Sequence, residues 1–302
     1  MSELSPETAI ALQVDPVGHD LGAFDVRQAV PQPKCRMVGP FVFIDQFGPA
    51  QYDIGKGMDV RPHPHIGLST VTYLMQGAID HRDSLGSFAT IRPGAVNLMT
   101  AGSGIVHSER SPQSERDAGG KIYGTQTWLA LPEALEETAP AFESVAAGDL
   151  PVVEDTCAKA RVIMGSLWGV TAPTTCHAAT VNADIILGAG GAMPIDADAD
   201  ERALLLVEGE AEVDGEPLAL FTLAVLRPGR AMVLRSGSGA RVVLMGGEAM
   251  TRRHVWWNFV SSSRDRINQA KDDWRAGRFP KVPGDEEEFI PLPDVPKTVS
   301  YP

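Results

Sequence analysis

The sequence is short of cysteine, of positive charge and of long apolar runs, and each shortage excludes something. Its 302 residues include only three cysteines. Cys35, Cys157 and Cys176 are odd in number and form no close pair, which argues against a disulfide framework and fits unbridged thiols in a reducing cytoplasm. Lys and Arg total 26 against 39 Asp and Glu, a net charge of −13. An acidic surface repels a phosphate backbone, and no local basic patch offsets it, so direct nucleic-acid binding is not expected. The longest charge runs, Asp196 to Glu201 at alternating positions and Asp285-Glu286-Glu287-Glu288, are acidic and read as solvated turns. No stretch approaches the roughly 18 apolar residues of a membrane span, and Met1 to Gln13 lacks the basic start and apolar core of a signal peptide. Long amphipathic helices are scarce as well.

Hydrophobic residues at 43% and charged residues at 22% are ordinary for a globular protein. The length allows about two domains. The 30 glycines and 23 prolines punctuate short β-branched and aliphatic runs. Such runs occupy Ser69–Met75, Ala95–Thr100, Lys121–Leu129, Ala203–Val207, Ala231–Arg235 and Arg241–Met245. Short strands at this spacing predict an all-β sandwich or barrel. One helix is well signalled: Ser261-Ser262-Ser263 offers capping hydroxyls, Ile267, Ala270 and Trp274 recur on one face, and Gly277 is a plausible stop. A weaker helical candidate runs from Pro132 to Thr138.

An internal echo suggests that one β unit is used twice. Ile91 to Gly104 matches Leu226 to Gly239, with Arg-Pro-Gly and Gly-Ser-Gly in register at an offset of 135. Upstream, Tyr73 to Gly77 matches Leu205 to Gly209 at an offset of 132. The expected organisation is therefore a first barrel over residues 1–131, a linker over 132–160, a second barrel over 161–250, and a C-terminal helix and tail over 251–302 that packs back on the barrels.

His63-Pro64-His65 precedes a strand-like run, and residues i and i+2 of an extended chain share a face. His107-Ser108-Glu109 repeats the arrangement after two turns. Two adjacent strands of this kind place three imidazoles and one carboxylate around a single point, a candidate metal site. The echo maps His63 and His65 onto Ile195 and Ala197, and His107 and Glu109 onto Val242 and Leu244. The first unit thus departs from an apolar interior at four positions, and buried polar groups need a partner. A metal ion is such a partner. This donor set suits Fe(II), Mn(II), Ni(II), Cu(II) or Zn(II), and affinity alone favours copper. Four protein ligands on an octahedral ion leave two positions open. A divalent ion with one carboxylate keeps about one net positive charge, so a deprotonated oxygen ligand such as an enolate is preferred.

Other residues carry less. His81 reads as a hairpin residue or a pocket-rim residue, His19, His177 and His254 as structural. Met75, Met99 and Trp128 read as barrel packing, with lining of a substrate cavity as the alternative for any of them, and Cys35 as an inert buried thiol rather than a redox-active one. The Gly102-Ser103-Gly104 turn lacks the lysine and the helix of a phosphate loop.

His63-Pro64-His65-Ile66-Gly67, Gly77, Arg92-Pro93-Gly94 and the run Met99 to Glu109, together with Trp257-Asn258-Phe259-Val260 and the helix through Trp274, resemble the pirin family of the cupin superfamily. The resemblance covers nearly the whole chain. It implies two jelly-roll-like cupin barrels with a metal in the first only, iron as the usual ion, and His63, His65, His107 and Glu109 as ligands. It also implies either of two activities. One is opening of quercetin or a related flavonol by dioxygen, for which the expected mechanism has Glu109 as the base; the other is metal- and redox-dependent binding to a transcription factor or metabolic enzyme. A cupin isomerase or small-molecule binder with another metal is a third expectation. Ser69 stands where the family often has Glu, four residues after the second His, which bears on pocket polarity rather than on the ligand set.

Overall fold

The structure is a computed structural model describing residues 8–20 and 25–302. Residues 1–7, much of the stretch read for a signal, lie outside the described residues. The all-β expectation holds: the described residues contain many short strands, two α-helices, Gln113–Ala118 and Arg264–Arg275, and a 3-10 turn at Glu133–Leu135. That turn is all that forms where Pro132 to Thr138 suggested a helix. The C-terminal helix forms as its sequence dictates. The Ser263 hydroxyl accepts from the Arg266 backbone N–H at 3.4 Å, Ile267 and Ala270 are buried, and Gly277 takes a positive φ of 66° just past the last turn.

The chain divides into two compact units. One comprises Gly18–Arg36, Val42–Ala147 and Thr251–Pro302. It is built on a seven-stranded antiparallel sheet ordered Ala141–Val145, Val96–Thr100, Leu68–Gln76, Lys121–Ala130, Phe41–Gln51, Asp25–Val30 and Val17–Asp20. Across from it lies a four-stranded sheet ordered Asp59–His65, Ile105–Arg110, Ile79–Asp83 and Phe88–Ile91. Phe47, Leu74 and Ile122 of the large sheet pack against Ile79 and Ile91 of the small one. A jelly-roll-like pair of layers closes around one core in this way.

The other unit holds Met37–Phe41, Gly148–Met250 and the chain up to Val17. It repeats the plan with sheets of seven and four strands. Its hydrophobic core includes Leu204, Leu206, Val213, Leu234 and Val242, while Asn182, Asp184 and Arg202 are buried polar residues of the same unit. Residues 8–17 belong here rather than with residues 18–131, because Ile10–Val14 adds an edge strand to the seven-stranded sheet by pairing with Leu223–Leu226.

The topology corrects the register of the echo. Leu68–Gln76 and Glu201–Gly209 occupy equivalent places, each between two strands of the large sheet, and each is followed or ended by a positive-φ glycine, Gly77 at 86° and Gly209 at 76°. There the offset of 132 stands. Arg92-Pro93-Gly94, however, joins the strands Phe88–Ile91 and Val96–Thr100, whereas Arg227-Pro228-Gly229 joins Leu223–Leu226 to Met232–Arg235. By sheet order, Asp59–His65 and Ile105–Arg110 correspond to Ala192–Ile195 and Met232–Arg235. The offset of 135 is therefore out by one strand, and Val242 and Leu244 are not the counterparts of His107 and Glu109. Ala197 likewise lies beyond its strand. The paired strands in the second unit instead contribute Met193, Ile195 and Leu234, all buried in its core. At the places that correspond to the histidine-bearing strands the second unit is therefore apolar, with different residues from those the echo picked out.

Within the first-described unit, the C-terminal segment is clasped to the small sheet. Phe259 bridges to Ile66 and packs with Ile267 and Ala270. Arg253 is buried and its Nε lies 2.8 Å from the buried Glu136 carboxylate, which also accepts from the Ser261 hydroxyl and the Ser262 N–H. One member of the acidic run, Asp285, differs from a solvated turn residue, while Glu288 stays exposed. Asp285 takes both of its oxygens to Arg110, at 2.7 and 2.8 Å, and Glu288 joins at 3.0 Å.

Candidate metal centre

Strands Asp59–His65 and Ile105–Arg110 are antiparallel neighbours, and His63 lies directly opposite His107. The period-2 alternation turns His63, His65 and His107 into the unit. All three are buried, and one ring nitrogen from each lies within 4.8 Å of the others. Nε2 of His65 and Nε2 of His107 are 3.1 Å apart. Gly67 lets the chain turn immediately after these ligands. Its φ is +66°, and a Cβ there would collide with the Val260 carbonyl.

Main-chain carbonyls set the tautomers. His63 Nδ1–H donates to the Arg61 carbonyl at 2.9 Å, and His65 Nδ1–H donates to the Asn258 carbonyl at 3.0 Å. A carbonyl only accepts, so both protons sit on Nδ1 and both Nε2 lone pairs face inward. Asn258 lies in the two-residue turn between Trp256 and Phe259, where Trp257 takes the left-handed conformation at φ 54°. Burial lowers the His63 pKa to about 4, against a partial opposing effect of the Arg61 hydrogen bond. Burial, followed by neighbouring histidines, also holds His65 and His107 well below their usual value. Three imidazoles held toward the neutral form, with the His63 and His65 lone pairs fixed inward, are what a divalent ion requires, so the residues present fit a metal.

Glu109 stands outside this three-histidine cluster and lines the same cavity. A register shift between His107 and Glu109 sets it opposite Val60 on one side and His81 on the other. Desolvation raises its carboxyl to about 7. His81 is neither a turn nor a rim residue. It is buried on strand Ile79–Asp83, its Nε2 is 3.1 Å from Asp83, and its ring stacks on Phe142 with centroids 4.3 Å apart. Ser69 is buried and shares a hydrogen bond with Thr100 at 3.0 Å.

The cavity holds about 250 Å³ and is lined by the three histidines, Glu109, Asp45, Gln126, Asn258 and an apolar wall that includes Phe43, Phe47 and Trp128. Trp128 stacks on Phe43, centroids 3.9 Å apart, and meets His65 edge-on. Of the three candidates for cavity lining, Trp128 thus takes that place, whereas Met75 and Met99 are buried and outside the lining. Asp45 and Asn258 were not singled out from sequence. Phe43, Asp45 and Phe47 alternate along one strand, and the period-2 argument that found the histidines also applies to them. The Asn258 contribution is a main-chain carbonyl and leaves no side-chain signature. A larger groove of about 460 Å³, lined by Trp274, Phe279 and Leu292 with Pro62 and Val106, lies elsewhere. Pro62 and Val106 are strand neighbours of His63 and His107, so they face the opposite side of the sheet.

With this geometry in hand, similarity to known proteins assigns the class. The sequence matches the Pirin family over residues 23–129 and the Pirin C-terminal cupin domain over residues 182–280. A pirin-like protein of Caulobacter vibrioides is 46% identical, over 94% of this chain and 100% of that protein. The crystal structure of quercetin 2,3-dioxygenase from Acinetobacter baumannii superposes with a TM-score of 0.87 at 33% identity, covering 95% of this chain and 96% of that one. A second quercetin 2,3-dioxygenase structure from the same organism gives 0.83 at 25% identity, covering 90% and 98%. The fold is that of the cupins, used twice. The chain belongs to the pirin family. No helix among the described residues is long and apolar enough to cross a membrane.

Proposed function

We propose that this protein is a metal-dependent dioxygenase that opens quercetin or a related flavonol or enol with O2, using one divalent ion, iron by family precedent, at His63, His65 and His107. The observation that carries this reading is the convergence of three neutral imidazoles on one point in a small cavity walled in part by Phe43, Phe47 and Trp128. The likeness to quercetin 2,3-dioxygenases over nearly the whole chain supports the substrate class. At about 250 Å³ the cavity lies below the roughly 300–1,000 Å³ usual for drug-sized ligands, which favours a flat, compact ring system.

A bound divalent ion would act here as a Lewis acid toward an enol hydroxyl and as the redox partner of dioxygen. The chain supplies the rest. Asn258 and Arg61 carbonyls orient His65 and His63, Phe43 and Trp128 exclude water and offer ring faces, and Glu109 takes a place beside the cluster. We assign Glu109 two roles, fourth ligand and acceptor of the enol proton, exchanged by rotation of its side chain. The overall conversion adds both atoms of one O2 to the substrate and needs no external reductant.

Oxygen uptake with quercetin tests the reading. The Fe(II)-loaded protein is expected to consume oxygen and the His63→Ala/His65→Ala protein to remain at background. Equal uptake by the two proteins, or none above background with any of Fe, Mn, Ni, Cu or Zn, overturns it.

A further inference from the structure

We infer that Asp45 reads the substrate: its Oδ1 hydrogen-bonds a ligand hydroxyl other than the enol engaged at the histidines. This assignment rests on the reading that the cavity takes a hydroxylated, flavonol-like molecule, and it concerns which members of that class bind.

The argument begins with the strand Phe41–Gln51. Phe43, Asp45 and Phe47 alternate on its inner face and all three line the cavity. A carboxyl between two phenyl rings breaks an otherwise apolar row. Asp45 is only 9% exposed, yet its Oδ1 has no hydrogen-bond partner. Its carboxyl does engage the side chain of Gln28, which sits directly opposite on the neighbouring strand. One side of the carboxyl is therefore fixed, and the other is left unsatisfied against an open cavity. A buried polar atom without a partner is costly and uncommon in native structures, and it is expected to have one when the site is filled.

The position of Asp45 says which part of a ligand it meets. It belongs to the large sheet, while His63, His65 and His107 belong to the small one. Facing sheets stand about 10 Å apart, so Asp45 and the histidines form opposite walls. A flat molecule whose enol lies at the histidines presents its far hydroxyls to Asp45. Burial pushes the Asp45 carboxyl well above the usual carboxylate range, a shift toward the uncharged acid, which can donate as well as accept. The other polar side chain of that wall, Gln126, has its Oε1 occupied by the Thr72 hydroxyl at 2.7 Å. A charged ligand group at Asp45 is disfavoured by the aromatic flanks, whereas a phenolic hydroxyl suits them.

The test uses redox-silent Zn(II)-loaded protein, so that binding is read without turnover. Quenching of tryptophan fluorescence, with Trp128 in the cavity wall, gives Kd for two probes: quercetin, which carries several hydroxyls, and 3-hydroxyflavone, which carries only the enol. Asp45→Leu is expected to weaken quercetin about tenfold, the equivalent of one lost hydrogen bond, and to leave 3-hydroxyflavone within about twofold. Asp45→Asn, which keeps a donor and an acceptor, is expected to bind quercetin within about threefold of wild type. Zinc content and thermal midpoint of each variant establish that the fold and the histidine cluster are retained. Equal losses for both probes, or no loss for quercetin, overturn the assignment alone. A wild-type protein that binds neither probe overturns the flavonol reading and this assignment with it.

Discussion

The imidazole of His65 is held by the main chain of Asn258, Nδ1 to carbonyl oxygen at 3.0 Å, across 193 residues of sequence. The C-terminal segment therefore helps to build the metal centre in addition to covering it. Phe259, fully buried beside Ile66, keeps the Asn258 turn in place. Phe259→Ala is expected to cost about 3–5 kcal/mol in denaturant unfolding. It should also weaken metal binding about 10–100-fold in a chelator competition, because loosening a partner of a ligating histidine disorients the ligand. Loss of stability with unchanged metal affinity would separate the segment from the site.

The Glu136–Arg253 pair is the second anchor of the same segment. Both groups are buried, and the pair is closed by Ser261 and Ser262. Glu136→Ala leaves the buried Arg253 guanidinium with only the exposed Glu133 carboxylate, at 3.7 Å, as counter-charge. The expected loss is about 3–5 kcal/mol, measured by urea unfolding. Replacing Arg275, exposed and paired only with exposed Asp272, should by contrast change stability by less than about 0.5 kcal/mol.

Glu109 and His63 respond to pH in opposite senses in metal-free protein. The Glu109 carboxyl is raised from 4.5 to about 7 by desolvation, so the folded state holds a proton that the unfolded state releases between those values. Its contribution to stability is complete below about pH 4.5 and is lost as pH rises through 7. His63, lowered from 6.5 to about 4 by burial, does the reverse: stability is lost as pH falls from about 6.5 to 4. Glu109→Gln should therefore stabilise the chelator-treated protein by about 1–3 kcal/mol at pH 8 and by little at pH 4. Urea midpoints at the two pH values check this.

The same two values shape metal affinity. Because His63 is already neutral near pH 6, proton competition there falls on Glu109. If Glu109 is a ligand, Zn(II) affinity should drop by up to tenfold per pH unit between about pH 7 and 5. In Glu109→Gln the dependence should flatten and the affinity at pH 8 should fall. An unchanged slope in the variant would leave Glu109 out of the ligand set.

Much of the site was legible because strands have period 2. His63-x-His65 and His107-x-Glu109 are patterns that only an extended backbone turns to one face, and the structure brings the three histidines together. Glu109 follows a register shift after His107 and lines the same cavity as the three histidines. The repeat of one barrel was legible in Gly77 and Gly209, where strand geometry demands a positive φ. It was misregistered at Arg92-Pro93-Gly94 and Arg227-Pro228-Gly229, since turn residues recur wherever a chain reverses and do not mark which strands they join. The pairing of Ile10–Val14 with Leu223–Leu226, the tautomer-setting carbonyl of Asn258 and the Arg110–Asp285 pair depend on contacts distant in sequence, and pattern alone does not reveal them.

The most direct test of the account titrates Fe(II) into metal-free protein under anaerobic conditions and then measures the initial rate of oxygen uptake with quercetin at each metal ratio. The rate is predicted to rise linearly and to saturate at one ion per chain, with no rise in His63→Ala/His65→Ala. Oxygen uptake that is independent of bound metal, or that persists in the double variant, would contradict it.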